Sequence, residues 1–116
     1  MPIADEYRDI CEMLLKATEE GRVSWTEEAT ATFAVRLPEL RFEIWAGKEE
    51  LEFVAVGIRD AEGSKSIDNW YLEEGDPDFK FLKTLWSEAK RHARRIPQAL
   101  ERLRSLLRTG DRIGLD

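Results

Sequence analysis

A two-layer α+β domain is predicted: an N-terminal helix, an antiparallel meander of three to four strands, and two C-terminal helices packed on one face of the sheet. Three observations carry this reading. The hydrophobic period is 3.6 before Gly21, changes to 2 through the middle of the chain, and returns to 3.6 after Asp78. The strands are grouped together rather than interleaved with helices. Asp76-Pro77-Asp78 is a strong helix start.

The first helix runs from Ala4 to Glu20, with Tyr7, Ile10, Cys11, Leu14 and Leu15 on one face and Gly21 as its stop. Ala31, Phe33, Val35 and Leu37 then alternate with small or polar residues, as do Leu40, Phe42 and Ile44 after a turn at Pro38-Glu39. A third strand covers about Glu50 to Arg59. The turn Asp60-Ala61-Glu62-Gly63 leads into a fourth, about Ser66 to Leu72. Val23-Ser24-Trp25 is a candidate short edge segment. The second helix buries Phe79, Leu82, Trp86, Ala89, Ala93 and Ile96 and breaks near Arg95-Ile96, because Pro97 cannot sit in a helix interior. The last helix starts at Pro97 and carries Leu100, Leu103, Leu106 and Leu107. We therefore expect one domain over residues 1 to 108 and a flexible tail over 109 to 116.

At 116 residues, 42% hydrophobic and 36% charged, the chain has apolar material for one packed core. Cys11 and His92 are its only cysteine and histidine, which argues against a disulfide framework and a Cys/His zinc site. The longest apolar run, Phe53 to Ile58, is far shorter than the roughly twenty residues a membrane helix needs. The acidic N-terminal residues do not resemble a targeting peptide, so a cytoplasmic location is expected. The charge is divided: residues 1 to 79 hold 8 Lys/Arg against 20 Asp/Glu, a net −12, and residues 80 to 116 hold 10 against 4, a net +6.

The chain resembles a widespread class of small uncharacterised bacterial domains of α-β-β-β-α-α order. The likeness rests on Gly21-Arg22-Val23-Ser24-Trp25, on Asp60-Ala61-Glu62-Gly63, on Glu73-Glu74-Gly75-Asp76-Pro77-Asp78, on Leu85-Trp86 with Ala89, and on the leucine-rich last helix. It covers most of residues 5 to 107 and implies a fold without an activity. The chain departs from the class at Arg95 and Pro97, where a glycine and an acidic cap are expected.

Catalytic chemistry finds little support. Gly63-Ser64-Lys65-Ser66 lacks the spacing of a phosphate loop and precedes a strand, so it reads as a hairpin turn. The acids Glu73, Glu74, Asp76 and Asp78 lack calcium-loop spacing, and Asp76 and Asp78 are accounted for as helix-start residues, with Asp76 as the N-cap. Cys11 lies on an apolar stripe, where a thiol is a small hydrophobe. No catalytic, cofactor or metal residues are assigned, and no small-molecule substrate is evident.

Two surfaces carry positive signals. Lys80, Lys83, Lys90, Arg91 and Arg94 share one stripe beside the buried face of the second helix, suited to phosphates or to an acidic protein, or else neutralised by the domain's own acids at Glu39, Glu43, Glu49 or Glu52. Parity also leaves apolar residues over: with Phe33, Val35, Phe42, Ile44 and Phe53 toward the helices, Trp45, Val54, Val56 and Trp70 fall on the uncovered face as an interface. The expected function is a non-enzymatic protein-binding module of adaptor, regulator, immunity or chaperone type, engaging a protein partner or itself as a homodimer. The alternative is a nucleic-acid-binding accessory domain using the basic stripe.

Overall fold

A computed structural model of the chain describes residues 4 to 108; the tail expected at 109 to 116 lies outside them. Helix α1 (Asp5–Glu19) precedes β1 (Thr26–Ala29), β2 (Thr32–Arg36), β3 (Leu40–Lys48), β4 (Glu52–Asp60) and β5 (Ser66–Glu73), followed by α2 (Phe79–Ala93) and α3 (Ile96–Arg108). The five strands form an antiparallel meander in the order β1-β2-β3-β4-β5, against the three to four expected. The extra strand is β1, a four-residue edge that begins directly after the Val23-Ser24-Trp25 segment. Its acidic, Thr-Glu-Glu-Ala sequence has too little apolar alternation to mark it as a strand.

Strand register settles which residues face the helices. Phe42 pairs with Ile58, Ile44 with Val56 and Ala46 with Val54, while Val56 and Val54 pair in turn with Trp70 and Leu72. Directly paired residues share a face. Val54, Val56 and Leu72 are therefore in the core with Phe33, Ile44, Leu82 and Leu85, all fully buried. The expectation that Val54, Val56 and Trp70 accompany Trp45 on the uncovered face is corrected: these three point at the helices, and Trp70 stacks on Tyr7 at 6.5 Å. Phe53, assigned to the core by the same parity, lies on the opposite face with Trp45. The run from Phe53 to Ile58 is apolar at both parities, so alternation alone had no way to choose.

Helix α1 covers one end of the sheet through Tyr7 and Cys11, and Trp25 locks the exit from it. The Trp25 indole N–H donates to the Thr18 hydroxyl at 2.9 Å, and that hydroxyl donates to the Leu14 carbonyl at 2.6 Å. Helix α2 begins at Phe79, two residues later than a cap at Asp76 would place it. Asp76 instead accepts the Glu73 amide at 2.8 Å and closes the turn from β5, while Asp78 pairs with Arg8 of α1. At the other end of α2, Arg95 occupies a left-handed conformation (φ 55°), and α3 departs from there.

Candidate functional site

The face of the sheet away from the helices divides into a polar half and an aromatic half. At the β2–β3 turn end, Glu28 takes both nitrogens of Arg36 at 3.0 and 2.9 Å, and Glu43 lies 3.5 Å from Arg41 and 2.9 Å from Arg59. Glu43 and Arg41 are buried by this network. These ionic cross-links occupy most of the charged groups with one another, while Arg41 Nε is buried without an acceptor.

The aromatic half lies toward the β3–β4 turn. Trp45 on β3 and Phe53 on β4 lie flat because each crosses a glycine: a Cβ on Gly57 would stand 3.1 Å from the Trp45 ring, and one on Gly47 would stand 2.9 Å from Phe53. Larger residues at either position would push the rings upright and fill the space beside them. With the rings flat, an open groove of about 470 Å³ remains, floored by Ala55 and walled by Trp45, Phe53, Leu51 and Tyr71. Tyr71 is 63% exposed, which is high for a large aromatic on a sheet face. Glu49, Glu50 and Glu73 rim the groove. One wall is β5, an edge strand, so its outer backbone N–H and C=O groups are not used within the sheet.

Flat indole and phenyl faces next to carboxylates attract cations, since the ring quadrupole and the acids act in the same direction. The groove is thus chemically matched to a lysine or arginine side chain, and the adjoining strand edge to an extended backbone. Of the residues expected here from sequence, only Trp45 is present. Phe53, Tyr71 and Leu51 were missed, although Leu51-Glu52-Phe53 beside Glu49-Glu50 held the signal.

The basic stripe of α2 is largely engaged by the domain itself. Lys83 bonds Glu52 at 2.7 Å, and Arg94 forms a two-pronged bond with Glu27 at 3.1 and 3.0 Å. Lys83 and Lys90 sit over the Trp86 ring at 4.8 and 5.2 Å, and Arg94 over Phe33 at 5.8 Å. Lys80 and Arg91 remain exposed. These contacts draw Glu27 and Glu52 below the usual carboxylate range, through the hydrogen bonds from Arg94 and Lys83 respectively.

Residues with reactive potential are sequestered or paired. Cys11 is fully buried, and burial pushes its thiol up to about 12. The Tyr7 hydroxyl, raised by burial and by its bond to Asp68 at 2.7 Å, is held as a donor. His92 lies 3.6 Å from Glu88 one turn away. Among the described residues no group of three or more His, Cys, Asp or Glu could hold a metal ion, and no helix is long and apolar enough to cross a membrane. No protein-family model, curated protein or solved structure matches the chain.

Proposed function

We propose that this domain is a non-enzymatic protein-binding module that takes an extended, basic segment of a partner along the β5 edge and into the aromatic groove. One observation carries the reading: Trp45, Phe53 and Tyr71 line an uncovered groove whose rim holds Glu49, Glu50 and Glu73. The net −12 charge of residues 1 to 79 adds a long-range attraction for a basic partner. The engaged state of Lys83 and Arg94 favours this over a nucleic-acid role for α2, since phosphate contacts would have to displace Glu52 and Glu27.

Selection of random peptides on the immobilised domain tests it. Enriched sequences are expected to carry Lys or Arg at alternate positions, and enrichment is expected to vanish on a Tyr71→Ala, Glu73→Lys double variant. Enrichment of acidic or purely apolar peptides, or enrichment unchanged by the double variant, contradicts the reading.

A further inference from the structure

Helix α3 has thirteen residues and none of them is buried. Ile96, Leu100, Leu103 and Leu107 are spaced by four, three and four, which lays them along one line of the helix. Leu100, Leu103 and Leu107 are 38%, 47% and 59% exposed. The main packing contacts of α3 with the rest of the fold are to α2. The radius of gyration, 16.8 Å, exceeds the roughly 13 Å of a compact chain of this length, as a helix standing off the body requires.

The same chain presents an open apolar groove. Its volume is about 610 Å³, and it lies between α1 and the β2–β3 end of the sheet. One bank is Ile10, Met13, Leu14 and Ala17 of α1; the other is formed by Leu37, Leu40 and Ile58. Ile10, expected in the core from its helical spacing, is instead 40% exposed here, and Met13 is 64% exposed.

We infer that α3 of a second copy of this chain occupies this groove, and that the exchange is reciprocal, giving a two-fold homodimer. The lengths agree. Ile10 to Ala17 and Leu100 to Leu107 each span two helical turns, about 10 Å, so the leucines can seat beside the α1 bank in register. The charges agree as well. Helix α1 exposes Asp5, Glu6, Asp9 and Glu19 against Lys16, Glu12 being paired with Arg8, and α3 carries Arg102, Arg104 and Arg108 against Glu101, which lies 3.5 and 3.6 Å from the last two. Of the two cations lining the groove, Arg22 is held by Glu20 at 2.6 Å, and Lys16 is exposed on the α1 bank, where it faces the Glu101 side of an incoming α3 rather than its arginines only if the helix is so oriented, a choice the cross-link below reads.

A chain cannot fill its own groove this way. Arg8, which meets Phe81 and Asp78 of the α2 side, lies on the opposite flank of α1 from Met13. Helix α1 therefore stands between α2 and the groove, and only Arg94 and Arg95 connect α2 to α3. The helix must come from another molecule. Because each copy has one such helix and one such groove, the two-fold arrangement satisfies both at once and closes the assembly.

Sedimentation velocity and cross-linking of the full chain test the inference, and neither reads the aromatic groove of the other sheet face. The wild-type chain is expected to sediment as a dimer at micromolar concentration. Leu103→Glu and Met13→Glu are each expected to lose the dimer while keeping the wild-type circular dichroism spectrum, since both side chains are solvent-exposed in the isolated fold. Oxidation of a mixture of Met13→Cys and Leu103→Cys chains is expected to yield a covalent dimer containing one of each; buried Cys11 does not compete. A wild-type monomer at high micromolar concentration overturns the inference. So does a dimer that survives Met13→Glu, which would mean that the α3 helices pair with each other, or the absence of a mixed cross-link.

Discussion

The Trp45 indole lies across the strand pair against Gly57, with ring carbons 3.1 and 3.2 Å from the place a Cβ would occupy there. The backbone carbonyl of Asp68 is at 3.2 Å from the same point, so the site is closed from two sides. Gly57→Ala is expected to cost about 1–2 kcal/mol through forced displacement of the ring. Urea denaturation measures it, and an unchanged midpoint would show that the ring is not held flat by this contact.

The Trp25 indole and the Thr18 hydroxyl are bonded to one another inside the core at 2.9 Å. Thr18→Val keeps the shape and removes the acceptor, leaving a buried N–H with no partner. The expected loss is about 1–3 kcal/mol in the unfolding free energy. A neutral effect would mean that water reaches the indole.

Arg95 sits at φ 55° and Ala31 at φ 60°, in the left-handed region where a Cβ is unfavourable. The strain at each is about 1–2 kcal/mol, and glycine relieves it while giving back about 0.4–1 kcal/mol through a freer unfolded chain. Arg95→Gly and Ala31→Gly are each expected to raise the thermal midpoint, with secondary structure unchanged. A lower midpoint for Arg95→Gly would indicate that the arginine side chain itself holds the α2–α3 joint.

Acid should loosen the fold through Glu27 and Glu52. Both bind protons less readily folded than unfolded, so the stability they contribute is full above their ordinary value of 4.5 and is lost as pH falls through their lower folded values. The groups are exposed, so the effect is modest and screened by salt. Glu27→Gln with Glu52→Gln is expected to flatten the stability profile below pH 4.5. A profile as steep as the wild type's would place the acid sensitivity elsewhere.

Hydrophobic patterning was enough to recover α1 and β2 to β5, and Pro97 marked the break before α3. Three things were out of its reach. In β4, Phe53 to Ile58 is apolar throughout, and only pairing with β3 fixes which side Val54 and Val56 take. The Asp-Pro-Asp start was legible, but the division of roles was set by Arg8, sixty-eight residues before Asp76 in the sequence, which draws Asp78 into an ion pair. The aromatic groove needs two glycines on neighbouring strands to lay Trp45 and Phe53 flat, a relation that no local window contains. The alternative of a self-neutralised basic stripe was legible through Glu52, and Glu27 joins it because the unrecognised β1 brings it beside Arg94.

The most direct test of the proposed function is a two-dimensional amide NMR titration of the domain with an extended peptide of alternating arginine and serine. The Trp45 indole and the amides of Asn69 to Glu73 are expected to shift together and saturably, with Tyr71→Ala abolishing the response. Shifts confined to α2, or no shifts at all, would contradict the assignment of the open sheet face as the binding surface.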